Sequence, residues 1–265
     1  MRLRGIITSL ALFLAPAMWT GATAQVSPLA VVELFTSQAC SSCPMTDAMM
    51  ASLSQREDII ILTLPVDYWD YTGWKDTLSL KEHTARQRSY AMARGKGFLA
   101  TPQIVVNGVH ALKEHDEASV ERVAEKLAKH SGTLTIPVTL NLDADVIEVG
   151  IPAARFQGRA EVWISPVSRH RSVEVEKGEN SGRTLKYSHV VRGWTKLGDW
   201  QGAAADYRLP LASLRHDGAD RIVVLLQAGT MHEPGPILGA AALNIPEQPP
   251  TIEEADARYE PSGMR

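Results

Sequence analysis

Both cysteines of this chain stand in one short run, Cys40-Ser41-Ser42-Cys43. Two residues at i and i+3 lie on one face of a helix, close enough for their sulfurs to bridge. A bridge closing so short a loop restrains little of the unfolded chain, so loop entropy gives it little value as a staple. A chain stabilised by disulfides would spread its cysteines, and here no other cysteine exists to pair with. Structural zinc is disfavoured too, because no second C-x-x-C and no paired His spacing completes four ligands. The pair points to thiol chemistry, and the fold has to present it.

The pattern around it does so. Residues 29–35 are an apolar run read as a buried strand, and 40–55 read as a helix with Met45, Ala48, Met49 and Leu53 at helical spacing. Residues 58–64 are rich in β-branched side chains and read as a second strand. A loop over 65–77 carries Asp67, Trp69 and Trp74, and a helix over 80–93 follows. Next come an apolar run at 103–106, the turn Asn107-Gly108 and a second run at 109–112, a strong hairpin signal. An amphipathic helix over 117–129 closes the region. The order β-α-β-α-β-β-α is the thioredoxin arrangement, with the C-x-x-C between the first strand and first helix, where that fold needs it. Thr101-Pro102 stands directly before the third strand, an awkward place for a residue that donates no ladder hydrogen bond. Thioredoxin-like proteins keep a cis proline there facing the C-x-x-C, so a cis Thr101–Pro102 bond is expected.

The ends and the second half differ in character. A basic start (Met1-Arg2-Leu3-Arg4), an apolar stretch from Gly5 to Ala17 and the small residues Ala22-Thr23-Ala24 read as an export signal cleaved after Ala24. Export places the thiols where disulfides persist, in the periplasm or outside the cell. From 134 to 245 helical periodicity gives way to short strand-like runs separated by turns, which suggests an antiparallel sandwich. Within it the polar stretch 178–183 is either a binding loop or a plain hairpin connection. The stretch from Pro246 onward reads as a mobile tail. Apolar residues make up 45% and charged ones 22% with a net charge of −3, so the chain is globular and offers no basis for a nucleic-acid partner.

The chemistry follows from placement. Unpaired N–H groups and the helix dipole at a helix start stabilise a thiolate, which makes Cys40 the attacking nucleophile. Cys43, one turn in, is the resolving thiol. Pro102 and Thr101 would present an edge to an extended substrate. Trp69 and Trp74 border a substrate groove or close the core. Asp67, at the end of the second strand, either assists proton transfer to the buried thiol or caps its loop. Met45, Met49 and Met50 either pack the core or supply a soft ligand, giving a Cu(I) site of Cys40, Cys43 and Met45.

A family resemblance extends this reading. Glu33-Leu34-Phe35-Thr36-Ser37-Gln38 leading into the C-x-x-C and Pro44, Val66-Asp67-Tyr68-Trp69-Asp70, Arg86-Gln87-Arg88-Ser89-Tyr90, Thr101-Pro102-Gln103, and Gly178-Glu179-Asn180 with Val190-Val191-Arg192 resemble a family of secreted proteobacterial thioredoxin-like proteins classed as a domain of unknown function. Ala39 and Met45 depart from its pattern. The resemblance implies the fold and export and leaves the activity open.

The expectation is a signal peptide over 1–24, an α/β thioredoxin-like domain over 25–132, an all-β sandwich-like domain over 133–246 and a flexible tail over 247–265. The expected function is an exported thiol-disulfide oxidoreductase acting on protein or small-molecule disulfides. It would need no cofactor, work with protein thiol or disulfide partners, and have no membrane attachment after cleavage. The alternatives are a periplasmic Cu(I)-handling protein and a non-catalytic partner-binding module.

Overall fold

The structure, a computed structural model, describes residues 28–95, 97–130, 132–216 and 218–246. The export signal and the tail read from the sequence lie outside the described residues. The first half runs β1 (Ala30–Thr36), α1 (Cys43–Leu53), β2 (Ile59–Pro65), α2 (Lys81–Ala93), β3 (Gln103–Val106), β4 (His110–Ala111) and α3 (Glu117–His130). The second runs β5 (Thr139–Asp143), β6 (Val146–Ile151), β7 (Ala160–Val175), β8 (Arg183–Val191), β9 (Thr195–Trp200), β10 (Ala205–Pro210), β11 (Arg221–Gly229) and β12 (Pro234–Asn244). The result is a mixed α/β protein dominated by one large sheet with few helices. No helix among the described residues is long and apolar enough to cross a membrane.

β1 and β2 are parallel, and β3 and β4 continue antiparallel from β1. Both faces of β1 and β2 are covered, which explains their unbroken apolar runs. Ala30, Val32, Leu34, Ile59 and Ile61 face α1 and α3. Val31, Phe35, Ile60, Leu62 and Leu64 face the opposite way, toward Tyr90 of α2. At the β3–β4 turn Asn107 (φ 51°) and Gly108 (φ 74°) are both left-handed, and Val109 N closes the turn on Val106 O at 3.1 Å. Asn107 is also buried, and its Oδ1 accepts from Val31 N at 2.8 Å.

The two halves, read from the sequence as two domains, share one sheet. Its strand order is β12-β11-β7-β8-β2-β1-β3-β4, with β9 on β7. Where short separated runs were expected, residues 160–175 form one continuous strand, β7. The first part of β7 lies between β11 and β9, while its second part carries β8. β8 meets β2 through Thr63↔Val190, and Thr63 Oγ1 donates to Ser188 O at 2.6 Å. The sandwich character resides in a second, three-stranded sheet, β10-β6-β5, packed over β7, β11 and β12. β11 serves both cores: Ile222, Val224 and Leu226 face the small sheet, and Val223 and Leu225 face the first half. β9 and β10 escaped the sequence reading because their polar residues break any apolar run.

A buried charge joins the halves. Glu33 points from the middle of β1 and is fully buried, as is Arg86 of α2. Arg86 Nε donates to Glu33 Oε1 at 2.5 Å, and Tyr90 Oη donates to Glu33 Oε2 at 2.6 Å. Arg86 also donates to Tyr90 Oη at 2.8 Å and, across to β11, to Gln227 Oε1 at 2.9 Å. Its guanidinium stacks at 5.0 Å from the Tyr90 ring centroid and 5.1 Å from that of Trp194. Breaking such a pair strands a charge without water. Arg86→Met is expected to cost about 3–5 kcal/mol in urea denaturation. Adding Glu33→Gln to it should recover part of that loss, which marks the stranded carboxylate as its cause.

Candidate functional site

Cys40 and Cys43 form a disulfide with Cα atoms 5.4 Å apart. The expected helix began at Cys40; it begins at Cys43, with Ser42 as N-cap and Pro44 in its first turn. Cys40 sits in the turn before it, where Cys40 N donates to Ser37 O at 3.1 Å and Cys43 N to Cys40 O at 3.2 Å. The disulfide thus ties the end of the β1 loop to the first helical residue, at the positive end of the helix dipole. Ser41 and Ser42 are exposed, but Cys40 is only 2% exposed and Cys43 is fully buried.

The buried face of α1 is Cys43, Thr46, Asp47, Met50 and Leu53. This differs from the stripe read from the apolar residues. Met45 points to solvent at 83% exposure and Ala48 is exposed. Met50 packs the core and Met49 packs partly against it. The helix is rotated because its inward face spends two positions on polar side chains, Thr46 and Asp47.

Asp47 lies one turn beyond Cys43 on the same face. Its two carboxyl oxygens are buried without a hydrogen-bond partner, as are the nearby Thr36 Oγ1 and Tyr187 Oη. Burial pushes Asp47 up to about 8; Thr36 offsets this only in part, and Asp76 adds to it. Asp76 is also buried and is raised to about 6, chiefly by desolvation, against hydrogen bonds from Gln38 N and Leu78 N, each 2.8 Å. Two carboxyl groups whose hold on the proton is strengthened by burial therefore lie behind and beside the disulfide loop.

A loop of the second half holds that loop in place. Asn180, in the polar turn between β7 and β8, is fully buried. Its Nδ2 donates to Gln38 O at 2.9 Å and to Cys40 O at 3.0 Å, while Arg183 steadies its Oδ1 at 2.7 Å. Trp74 Nε1 donates to Gln38 Oε1 at 2.8 Å. The stretch left open as binding loop or connection is a hairpin connection that also clamps the cysteine loop.

The other residues singled out from the sequence are placed as follows. The Thr101–Pro102 bond is cis. The β1–β3 register pairs Phe35 with Gln103, which brings Pro102 to the level of Thr36, at the Cys40 end of the sheet. Trp69 Nε1 donates to Thr101 Oγ1 at 2.9 Å, so these two side chains do meet. Asp67 instead accepts from Thr84 Oγ1 of α2 at 2.5 Å, and its backbone N donates to the same hydroxyl. It holds a loop to α2, whereas the carboxyl on the Cys43 face is Asp47. Sequence reasoning missed Asp47, Asp76, Tyr187 and Asn180. Only Asp47 left a readable signal, its i+4 spacing from Cys43.

A family model described as "Protein of unknown function (DUF1223)" matches residues 31–227, from β1 through the disulfide and the Asn180 turn to Gln227. The chain belongs to the DUF1223 family. A protein from Agrobacterium tumefaciens of known crystal structure is 33% identical, with a TM-score of 0.74 over 83% of this chain and 96% of that one. HBP35 of Porphyromonas gingivalis is 14% identical with a TM-score of 0.56, covering 90% of this chain and 80% of that one, a likeness of fold. No curated protein shows significant similarity to the chain.

Two outcomes follow for this site. Asp47 is raised from the ordinary 3.8 to about 8, so its protonated form favours the fold. That contribution is full below the unfolded value and is lost as pH rises through about 8. Asp76, raised to about 6, has finished by then. Buried His83 and His189, lowered to about 3 and about 4, act with the opposite sign but only below about 6.5. Between pH 6.5 and 8 stability should therefore fall, by up to about 1.4 kcal/mol per pH unit, and Asp47→Asn should flatten that slope in urea titrations. Asn180→Ala removes the amide donor to Gln38 O and one of the two donors to Cys40 O and should cost about 1–3 kcal/mol by the same method.

Proposed function

We propose that the chain is an exported thiol-disulfide oxidoreductase with a thioredoxin-like first half, using Cys40 and Cys43 as its redox pair. The observation that carries this is a disulfide at the β1–α1 junction with a buried, neutral carboxyl, Asp47, one turn behind Cys43. Proteins place groups with such shifted protonation where protons have to move.

In the disulfide form a substrate thiolate attacks Cys40 Sγ, forming a mixed disulfide as the Cys40–Cys43 bond breaks. The electron pair leaves on Cys43 Sγ, and the Asp47 carboxyl supplies the proton that neutralises it. A second substrate thiolate then attacks the substrate sulfur of the mixed disulfide and releases Cys40 as thiolate. Two electrons pass from a substrate dithiol to the protein. In reverse, Asp47 carboxylate takes the Cys43 proton as that thiolate resolves the mixed disulfide. Thr101, steadied by Trp69, and Pro102 form the edge against which a substrate chain would lie. The near-complete burial of Cys40 favours a substrate that opens the Ser41–Ser42 side as it docks.

One observation favours a second reading. Met45 is 83% exposed two residues beyond Cys43, free to join the reduced thiols around Cu(I), a soft ion suited to thiolate and thioether ligands. In that case copper binds only the reduced protein and weakens on Met45→Leu.

The deciding measurement is the reduction potential of the pair against glutathione buffers. A reversible couple between roughly −270 and −120 mV supports the oxidoreductase, while a bridge still oxidised below about −300 mV makes it structural and the chain a binding module. Cys43→Ser should trap mixed disulfides through Cys40. Asp47→Asn should slow reduction by a small thiol about a hundredfold at neutral pH and remove the inflection near pH 8.

A further inference from the structure

At the far end of α1 from the disulfide lies a second polar site. α1 has 11 residues, so at about 1.5 Å per residue the two are separated by roughly 16 Å along the helix. A cavity of about 540 Å³ opens there between the residues after α1 and the edge of the large sheet, lined by Arg56, Glu57, Arg169, His170, His189 and Arg221 among others.

The backbone is distorted to build it. His189 sits within β8 at φ 54°, a left-handed conformation that L side chains rarely adopt. The β7–β8 ladder runs through Ser168↔Val190 and His170↔Ser188 and omits the step between, Arg169 with His189. Arg169 N turns instead to Asp220 Oδ1 at 2.7 Å. A strand interrupted at one histidine, opposite an arginine and beside a polar cavity, is the kind of local strain found at binding sites.

The charges in the cavity are unevenly matched. Arg56 is engaged by Asp58 and Glu121, and Arg169 by Asp220. Arg221 NH1 donates to the neutral amide oxygen of Asn244 at 2.9 Å, and its Nε is buried with no hydrogen-bond partner among the described residues. His189 Nδ1 is buried and unpartnered as well. Burial, then the charge of Arg169, weaken the hold of Arg221 on its proton, and burial followed by Arg221 and His170 push His189 down to about 4. Asp220, already paired with Arg169, offsets both shifts only in part. Among the described residues, Glu57 is the one acidic side chain lining the cavity.

We propose that this cavity binds a tetrahedral oxyanion, a phosphate or sulfate group held by Arg221 and Arg169 with His170 and His189 as donors. Planar guanidinium groups suit such an anion through paired N–H donors. The cavity is larger than the bare anion needs, which leaves room for an organic remainder.

The test is calorimetric titration of the oxidised protein, residues 25–265, with inorganic phosphate and separately with glycerol 3-phosphate, at ionic strength matched with chloride. Saturable binding with a Kd no weaker than about 1 mM is expected. Arg221→Gln should weaken it at least about tenfold, the worth of one charge-assisted hydrogen bond. Glu57→Gln, an exposed substitution without risk to folding, should tighten it. Comparable affinity for the two probes assigns the free ion, and markedly tighter glycerol 3-phosphate assigns an organic phosphate. Absence of saturable binding to the unsubstituted protein, or unchanged affinity in Glu57→Gln, would overturn the proposal.

Discussion

A carboxylate in the middle of a sheet strand is the constraint around which the two halves are organised. Glu33 has hydrophobic neighbours along β1 and no water, so its charge has to be met by protein groups. Arg86 and Tyr90 meet it from α2, and Gln227 completes the group from β11. That requirement fixes the rotation of α2 over β1 and draws the last strands of the chain against its first. Apolar packing alone would tolerate several registers of β11; a hydrogen-bonded cation tolerates one.

The Cys40–Cys43 disulfide inherits this rigidity on one side and a gentler constraint on the other. β1 delivers Cys40 from a fully buried strand, while the Asn180 turn holds the loop carbonyls from the second half. The proposed chemistry depends on a neutral acid one turn beyond Cys43, and that acid stays neutral because burial, with Tyr187 of β8 close by, keeps water from it. The same hydrophobic shielding that stabilises the fold therefore sets the protonation state on which the proposed transfer relies.

Much of the first half was legible from the sequence. Strands such as β3 and the Asn107-Gly108 hairpin announce themselves through apolar runs and a turn whose backbone few residues accept. The cysteine junction was legible for the same local reasons. What stayed hidden is non-local. Asp47 looks like a solvent-facing residue of α1 until β8 covers it, and Met45 looks like a core residue until the same rotation exposes it. Asp67 carries the right chemistry at the end of β2, but Thr84 of α2 claims it. Asn180 reads as a turn former, which it is, and nothing within its own stretch of chain reveals that its amide reaches back to Gln38 and Cys40. The union of both halves in one sheet was invisible because β8 meets β2 over a very short contact, made by an ordinary valine and threonine.

The position of β11 between two cores bears on how the chain comes to be assembled. Synthesis delivers β1, β2 and their helices first, yet Val31, Phe35, Ile60 and Leu62 find part of their covering only when Val223 and Leu225 arrive more than a hundred residues later. Until then a wide apolar sheet face stays uncovered, open to association with other chains. Contacts of such long sequence separation are slow to form. The second half thus acts, whatever else it does, as a late-arriving lid on the first, and a chain interrupted before β11 would emerge as a sticky intermediate rather than a smaller working protein.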